Sequence, residues 1–288
     1  MRILLTGRNG QVGWELERAF ASFGDVVAFD RQNLDLADPD QIVSRVRDTR
    51  PDVILNAAAY TAVDQAEQEP ELAMAINGSA PGILADQAKR LGALLVHYST
   101  DYVFDGKKAS PYTEDDTPNP INIYGKSKLA GERAVRESGC RHLIFRTAWV
   151  YSDRGRNFLL SILRLAKEKP ELRVVDDQHG APTWARDIAR ASLKILEDAS
   201  QPEGTYHLTA AGDTTWCGFA TNIVARRGFL ARVVPIKSSE YPMPAARPAN
   251  SLLSGARLHR VFGFSLREWR MGLDECLATF AGATSDPR

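Results

Sequence analysis

The sequence predicts a doubly wound α/β fold built around a parallel β-sheet. Three observations support this fold class: short apolar runs alternate with amphipathic stretches from the start of the chain, a glycine-rich turn joins the first run to the first stretch, and the regularity weakens after about residue 150. Short, nearly continuous apolar strands separated by helices are typical of parallel sheets covered on both faces. A chain of 288 residues, 44% of them hydrophobic, can bury one large core or two coupled cores.

Five short apolar segments in the first half predict the strands of this sheet, in the order Ile3–Leu5, Val26–Phe29, Val53–Leu55, Leu94–Tyr98 and Leu143–Phe145. Amphipathic spacing between them predicts helices over Trp14–Phe20, Gln41–Arg47 and Leu72–Leu91. Strands and helices therefore alternate through residues 1–150, which is the pattern of a sheet with helices on both faces.

The second half is less regular. Its patterns predict helices over Asn157–Lys167, Ala185–Glu197 and Leu266–Phe280, and strands over Arg173–Val175 and Thr205–Leu208. Four prolines, at positions 235, 242, 244 and 248, mark a turn-rich segment before the last helix. We interpret residues 151–288 as mainly a smaller substrate-binding part that is interleaved with the main sheet.

Composition excludes several classes of protein. Lys plus Arg equals Asp plus Glu at 36 each, so net charge favours neither a nucleic-acid partner nor a membrane surface. Cys140, Cys217 and Cys276 lie far apart, without the spacing of a disulfide framework or a cysteine metal site. No apolar run approaches the about 18 residues of a membrane span, and none resembles a signal peptide. We expect a cytoplasmic protein.

A glycine-rich turn, Gly7–Gly13, follows the first strand and leads into the first helix. In this position Gly7, Gly10 and Gly13 permit a tight turn, close approach of the backbone to a pyrophosphate and close packing of helix on strand. The helix N-terminus also favours negative charge. The turn, which includes Asn9, Gln11 and Val12, therefore predicts a dinucleotide site and makes residues 1–150 a Rossmann-type domain.

The second strand ends at Asp30 and Arg31, about 20 residues past the turn, where dinucleotide-binding folds contact the adenosine ribose. A carboxylate there binds the 2′-hydroxyl of NADH, whereas an arginine accommodates the 2′-phosphate of NADPH. Both residue types are present, so the residues alone leave the cofactor open. Asp35 and Leu36 in the next loop are candidates to lie against the adenine, although a plain turn explains them nearly as well.

Three further residues carry the chemistry of a reductase. Tyr124 and Lys128 stand at i, i+4 and share one helix face, and Thr100 closes an apolar strand where open α/β sheets bind ligands. A ketone that accepts hydride develops negative charge on oxygen, so catalysis needs a proton donor and hydrogen bonds at that oxygen. We predict that Tyr124 donates the proton, Lys128 lowers the pKa of Tyr124, and Thr100 binds the same oxygen.

Together these motifs resemble the extended short-chain dehydrogenase/reductase superfamily and, within it, the dTDP-4-dehydrorhamnose reductases. The resemblance rests on Leu4–Leu16, Asn56–Asp64, Ser99–Gly106, Tyr124–Lys126, Arg146–Tyr151, Gly180–Thr183 and Arg247–Ser251. It implies NADPH-dependent reduction, with NADH as the alternative, of the 4-keto group of dTDP-6-deoxy-L-lyxo-4-hexulose to dTDP-L-rhamnose. It also implies that Thr100, Tyr124 and Lys128 are the catalytic trio, that Lys128 holds the nicotinamide ribose, and that the protein is a monomer or homodimer.

The resemblance implies contacts for further residues. The backbone of Ala57, Ala58, Ala59 and Tyr60 would border the cofactor, and the residues that would face the nucleotide-sugar substrate are Thr61, Val63, Asp101, Tyr102, Val103 and Trp149. The ring of Trp149 suits stacking against thymine, because an aromatic face stacks on any base. We expect Arg247, in the proline-rich loop, to clamp the diphosphate.

One position departs from the family. Some members bind Mg²⁺ between two subunits through a glutamate like Glu15 and an acid shortly after a Gly-Ala-Pro-Thr motif. Here Arg186 stands where that acid would fall, although Asp187 follows it. A positively charged side chain at a metal-ligand position repels a metal ion, so we predict no metal. We expect Arg186 to pair with Glu15 instead.

Two other functions remain open from the sequence. The same fold occurs in a non-catalytic regulatory subunit of methionine adenosyltransferase, which binds a partner protein rather than turning over a sugar. A different nucleotide-sugar enzyme is the second alternative: an epimerase, a dehydratase or a reductase that gives 6-deoxy-L-talose. The pattern Thr100-Asp101-Tyr102 lacks the second carboxylate expected of a dehydratase.

Overall fold

The computed structural model describes residues 1–198 and 203–282. Its strands are β1 Arg2–Thr6, β2 Asp25–Phe29, β3 Val53–Asn56, β4 Leu94–Thr100, β5 His142–Thr147, β6 Val150–Tyr151, β7 Glu171–Val175, β8 His179–Gly180, β9 Thr183–Trp184, β10 Gly204–His207, β11 Thr214–Thr215 and β12 Arg232–Ile236. Its α-helices are α1 Gln11–Phe20, α2 Pro39–Thr49, α3 Val63–Ala66, α4 Pro70–Met74, α5 Ala80–Leu91, α6 Ile123–Ser138, α7 Phe158–Glu168, α8 Ala185–Glu197, α9 Trp216–Arg226, α10 Ala256–Phe262 and α11 Trp269–Gly282. None of the helices in these two ranges is both long and apolar enough to cross a bilayer.

The central sheet has six parallel strands in the order β10-β5-β4-β3-β1-β2. The chain runs outward from β1 to β2 on one side and then returns to build β3, β4 and β5 on the other. Such a reversal opens a crevice at the carboxyl ends of the strands between β1 and β3. The predicted doubly wound parallel fold is confirmed.

Two apolar cores cover the faces of this sheet. One face packs residues such as Leu5, Val96 and Phe145 against α1 and α8, and the other packs Leu4, Ile54 and Ile144 against α2 and α5. The strands are buried on both sides, which explains their continuous apolar sequence.

The second half of the chain adds one strand and one helix to the main sheet region and forms a separate, smaller region of its own. Strand β10 pairs with β5 at the edge of the main sheet, and α8 packs against α1. The rest forms three two-stranded pairings, β7 with β12, β8 with β11 and β6 with β9. A separate core, with Leu159 of α7, Phe219 of α9 and Trp269 of α11, holds these elements together.

The predicted helix over residues 72–91 is confirmed as a continuous helical segment, but it contains a π-helical turn that the sequence pattern did not indicate. The structure has α4, a π-helical turn over Ala75–Ser79 and then α5. Pro81 has no N–H to donate to the carbonyl of Asn77, so the regular α-helical bond is missing at this point. The π-turn places Asn77 where its side chain bonds two other segments of the molecule.

A buried ion pair fixes α6 on the sheet. The Glu132 carboxylate, which has no exposed surface, accepts hydrogen bonds from Arg146 Nε at 2.9 Å and Nη2 at 2.7 Å, and from Ser99 Oγ at 2.6 Å. Burial acts to raise the pKa of Glu132, but the bonds from Arg146 hold that pKa below its usual value. Arg146 and Ser99 belong to β5 and β4, so the pair joins α6 to both strands.

We expect Glu132→Gln to lower the free energy of unfolding by about 3 kcal/mol, because Arg146 stays buried without an opposite charge. The matched control is Glu168→Gln, which breaks an exposed i,i+4 pair with Arg164 and should cost about 0.5 kcal/mol or less. Urea denaturation measures both variants. Equal losses in the two would contradict a structural role for the buried pair.

Candidate active site

Polar side chains gather at the carboxyl edge of the sheet. Thr6, Asn56 and His97 lie side by side on β1, β3 and β4, and Thr100 is paired in register with Thr147 of β5. Thr6 Oγ1 donates to Asn56 Oδ1 at 2.7 Å and accepts from the N–H of Ala58 at 3.1 Å. These bonds fix the start of the loop after β3 against the turn after β1.

The glycine turn fits the close approach of a dinucleotide backbone. Gly7 has φ of +76°, a conformation that favours glycine. A Cβ on Gly13 would lie 2.1 Å from the carbonyl oxygen of Gly7, and one on Gly7 would lie 2.8 Å from Ala58. Helix α1 begins at Gln11, with Gly10 as its N-cap, so unpaired N–H groups face this turn. Glycine is therefore required at positions 7 and 13 for the close packing of this turn against itself and against the loop after β3.

The two residues predicted to select the cofactor, Asp30 and Arg31, lie directly after β2. Asp30 Oδ1 accepts from the backbone N–H groups of Gln32 and Asn33, while Oδ2 accepts from Asn9 of the glycine turn at 3.3 Å. Burial acts to raise the pKa of Asp30, but hydrogen bonds led by Asn33 lower it. Arg31 is exposed and 3.9 Å from Asp35, so its guanidinium is accessible to a phosphate. Leu36 instead packs in the core, facing away from solvent.

The loop Ala57–Tyr60 is held by a residue that the sequence analysis missed. Asn77 Oδ1 accepts from the N–H of Tyr60 at 2.8 Å, and its Nδ2 donates to the carbonyl of Tyr60 at 2.9 Å and to Ser127 Oγ at 3.0 Å. Asn77 therefore ties the predicted cofactor loop to helix α6. No local pattern marks it, because its role depends on the π-turn.

Helix α6 presents the predicted proton donor. Asn122 caps the helix through a bond from the Gly125 N–H to Oδ1 at 2.7 Å, and its Nδ2 donates to the carbonyl of Ala246 at 2.8 Å. Tyr124 lies in the first turn, with its ring 5.7 Å from that of Tyr102 in an edge-to-face arrangement. Lys128, one turn later, is buried and donates to the carbonyl of Tyr98 at 2.6 Å.

Electrostatics at Tyr124 differ from the prediction. Burial raises the pKa of Tyr124 to about 12, while its hydrogen bond with Thr100 acts in the opposite direction. Burial also lowers the pKa of Lys128 to about 8, against the attraction of Glu132. The expected lowering of the Tyr124 pKa by Lys128 is therefore not found: burial dominates, and the ammonium donates to the Tyr98 carbonyl rather than to the phenol. Tyr124 stays protonated at neutral pH.

Arg247 has a different partner from the one that the sequence suggested. Its Nη1 and Nη2 donate to the two oxygens of Asp64 at 2.7 and 2.8 Å, and Nη1 also donates to the carbonyl of Ala245. A diphosphate clamp by Arg247 would have to replace this pair. The ion pair joins the proline-rich loop to α3, across 183 positions of sequence.

Trp149 lies at the edge of the site in a strained backbone conformation, with φ of +48°. Its ring stacks on Trp216 with centroids 3.5 Å apart and planes within 4°. Gly180 lies so close to the same ring that a Cβ there would be 2.3 Å from Cε2. The sequence analysis missed Trp216, which starts α9 without any motif around it.

The remaining predicted substrate residues occupy different environments. Thr61 is exposed, Val63 and Tyr102 are partly buried, and Asp101 is buried beside Thr100. Val103 is fully buried in an apolar cluster, so only its backbone could face a ligand.

The predicted pairing of Arg186 with Glu15 is confirmed. Arg186 Nε and Nη2 donate to the two oxygens of Glu15 at 3.0 and 3.2 Å, and Glu15 is 3% exposed. A guanidinium thus occupies the side of Glu15 where a cation would bind, so these residues do not fit Mg²⁺. Asp187 is bonded by Arg267 through both oxygens. Within residues 1–198 and 203–282, no three His, Cys, Asp or Glu side chains form a metal-binding group.

The parallel sheet, the glycine turn and the Tyr124–Lys128 helix define the protein as a nicotinamide-dependent oxidoreductase of the short-chain dehydrogenase/reductase class. Residues 1–281 match the family described as the RmlD substrate binding domain. The chain belongs to this family, whose curated members with high similarity are named dTDP-4-dehydrorhamnose reductase.

Two curated relatives and two solved structures illustrate the similarity. The dTDP-4-dehydrorhamnose reductase of Burkholderia thailandensis is 51% identical over 96% of this chain and 98% of its own length, and that of Escherichia coli K12 is 43% identical over 96% and 97%. The Clostridium acetobutylicum enzyme aligns with a TM-score of 0.94 at 39% identity, covering 98% of this chain and 100% of its own. The Bacillus anthracis enzyme, solved in complex with NADP, aligns with 0.93 at 38%, covering 96% and 99%.

We expect millimolar EDTA to leave both the melting temperature and the catalytic rate unchanged, because Arg186 already neutralises Glu15. Adding Mg²⁺ after EDTA should also have no effect. The control variant is Arg186→Glu, which restores an acid at this position and should make the melting temperature respond to Mg²⁺. Loss of wild-type activity in EDTA with recovery in Mg²⁺ would contradict the assignment.

Proposed function

We propose that this protein reduces the 4-keto group of dTDP-6-deoxy-L-lyxo-4-hexulose (dTDP-4-dehydro-L-rhamnose) with NAD(P)H and yields dTDP-L-rhamnose, the last step of dTDP-rhamnose biosynthesis. The observation that carries the proposal is that Thr100 hydrogen-bonds Tyr124, while Lys128, one turn along the same helix, donates to Tyr98 of the strand that ends in Thr100. Residues up to about 150 bind the cofactor, and the remainder mainly binds the nucleotide sugar.

Tyr124 is the proton donor in this reaction. The nicotinamide supplies the hydride when it is bound. Because burial raises the pKa of Tyr124 to about 12, its phenol carries a proton at neutral pH and gives it to the oxygen of the ketone as negative charge develops there. Thr100, bonded to Tyr124, is placed to hydrogen-bond the same oxygen.

Lys128 supports the anionic form of Tyr124. For this, the ammonium must turn from the Tyr98 carbonyl towards the phenolate that forms, since in its present position it does not lower the Tyr124 pKa. With a pKa of about 8, Lys128 is mainly charged below pH 8 and loses this effect as pH rises through that value. We also assign to Lys128 contact with the nicotinamide ribose.

The Rossmann turn and its neighbours hold the dinucleotide in this proposal. Gly7–Gly13 borders the pyrophosphate, Asp30 and Arg31 face the adenosine ribose, and Ala57–Tyr60 lines the crevice. The exposed guanidinium of Arg31 favours NADPH, and Asp30 leaves NADH as a weaker alternative. We place the enzyme in the cytoplasm, as a monomer or homodimer that does not depend on Mg²⁺.

The thymidine diphosphate end of the sugar would lie toward the second half of the chain. Trp149 is the candidate plate for thymine, and because Trp216 covers one of its faces, Trp216 must be part of the same subsite. Arg247 hydrogen-bonds Tyr102, which is another predicted substrate residue. There Arg247 either orders the proline-rich loop through its ion pair with Asp64 or leaves Asp64 to bind a phosphate of the substrate.

We expect Tyr124→Phe to lower kcat by about 10² to 10⁴-fold, since it removes the proton donor. Nicotinamide oxidation is followed at 340 nm with the 4-keto sugar, and NMR identifies the product. The matched control, Tyr151→Phe, removes a buried hydroxyl that makes no hydrogen bond and should stay near wild type. Rhamnose formation at the wild-type rate by Tyr124→Phe would contradict the assignment.

Arg31→Ala should reduce kcat/KM with NADPH by about tenfold or more while leaving NADH little changed, because only the 2′-phosphate uses the guanidinium. Arg47→Ala, an exposed arginine on α2, is the control and should alter neither value. If the ratio of kcat/KM with NADPH to kcat/KM with NADH were unchanged in Arg31→Ala, Arg31 would not bind the 2′-phosphate.

A further inference from the structure

A buried carboxyl lies directly behind the reacting groups. Asp101 follows Thr100 in sequence, is 3% exposed, and its Oδ1 accepts a hydrogen bond from Thr100 Oγ1 at 2.8 Å. Its other oxygen, Oδ2, is buried without a hydrogen bond of good geometry, and the hydroxyl of Ser251 is the neighbouring group that acts to lower the Asp101 pKa. An unpaired buried carboxylate oxygen is costly, so this site favours a protonated acid or a ligand that supplies a donor.

The hydroxyl of Thr100 has one hydrogen and two lone pairs to distribute. The N–H of Tyr102 donates to Thr100 Oγ1 at 3.1 Å and takes one lone pair. When Asp101 is ionised, it accepts the only hydrogen of Thr100, so Thr100 cannot then donate the hydrogen bond that acts to lower the Tyr124 pKa. In this state Thr100 cannot donate to a substrate oxygen.

Protonation of Asp101 reverses this chain of hydrogen bonds. The carboxylic acid then donates to Thr100 Oγ1, which fills the second lone pair and frees the hydroxyl hydrogen. Both that hydrogen and the Tyr124 O–H can then point at the ketone oxygen, so the developing negative charge meets two donors rather than one.

On this basis we propose that Asp101 is a positioning residue that sets the direction of the Thr100 hydrogen bond, and that its protonated form is the faster one in the reduction. This inference rests on the proposed function and assigns Asp101 a role other than contact with the sugar.

Among Asp101 and the titratable groups around it, Asp101 is the group whose pKa lies closest to neutrality. Apart from Thr100 and the neutral hydroxyl of Ser251, the titratable groups that face it are Tyr102 of its own turn and Tyr124 of α6, and Tyr102 in turn contacts the Asp64–Arg247 pair. Burial raises the pKa of both tyrosines, and Arg247 lowers that of Asp64. Burial raises the pKa of Asp101 to about 6. Negative charge from a bound nucleotide sugar would raise it further, so substrate binding itself favours the protonated form.

The test is the pH dependence of kcat from pH 5 to 9 for wild type, Asp101→Asn and Thr100→Val. In wild type we expect kcat to fall by about tenfold or more as pH rises through the Asp101 pKa, followed by a second decline near pH 8 from Lys128. Asparagine donates to Thr100 at every pH, so Asp101→Asn should lose the first decline and keep the second. Thr100→Val should be about 10²-fold slower and also lack the first decline.

A wild type without the first decline, or an Asp101→Asn variant that retains it, would overturn the inference. A residue that only shaped the pocket would change kcat or KM at all pH values without removing one limb. Infrared difference spectra give a second readout that needs no turnover: a protonated-carboxyl band, absent in Asp101→Asn, should disappear as pH rises and shift in Thr100→Val. Its absence would also overturn the inference, whereas failure of wild type to reduce the sugar, with this band present, would reject only the proposed function.

Discussion

The buried carboxylate of Glu132 is the interaction on which the geometry of the site depends. It holds α6 against β4 and β5 through Ser99 and Arg146, and the same helix carries Tyr124 and Lys128. Because Glu132 lies one turn beyond Lys128 on α6, a shift of this ion pair would move Tyr124 relative to Thr100. Burying this ion pair costs desolvation free energy, but separating the buried charges would cost more. The pair therefore restricts α6 to one position on the sheet.

Two asparagines extend this restraint to the loops that surround the crevice. Asn77 joins the loop after β3 to the middle of α6, and Asn122 joins the start of α6 to the proline-rich loop. The ion pair of Arg247 with Asp64 joins the same proline-rich loop to α3. Segments far apart in sequence are thus all bonded to helix α6, directly or through one intermediate, so the loops around the crevice are held in a fixed relation to one another.

Local patterns predicted the sheet, the glycine turn and the Tyr124–Lys128 face, because strand alternation, glycine spacing and helical periodicity act within a few residues. The π-turn was not predictable in this way, since it requires Pro81 to remove a bond and distant partners for Asn77. The pairing of Arg247 with Asp64 and the stack of Trp149 on Trp216 likewise depend on tertiary contacts. The raised pKa of Tyr124 follows from burial, which no spacing of residues specifies.

The parallel contact of Trp149 with Trp216 has a spectroscopic consequence. Two indoles with centroids 3.5 Å apart behave as one coupled chromophore, so their absorption transitions split and produce paired bands of opposite sign in near-ultraviolet circular dichroism. A base that enters between the rings or slides one past the other changes that coupling. If thymine binds at this stack as proposed above, the indole pair is an optical reporter of its binding that depends neither on hydride transfer nor on an added dye.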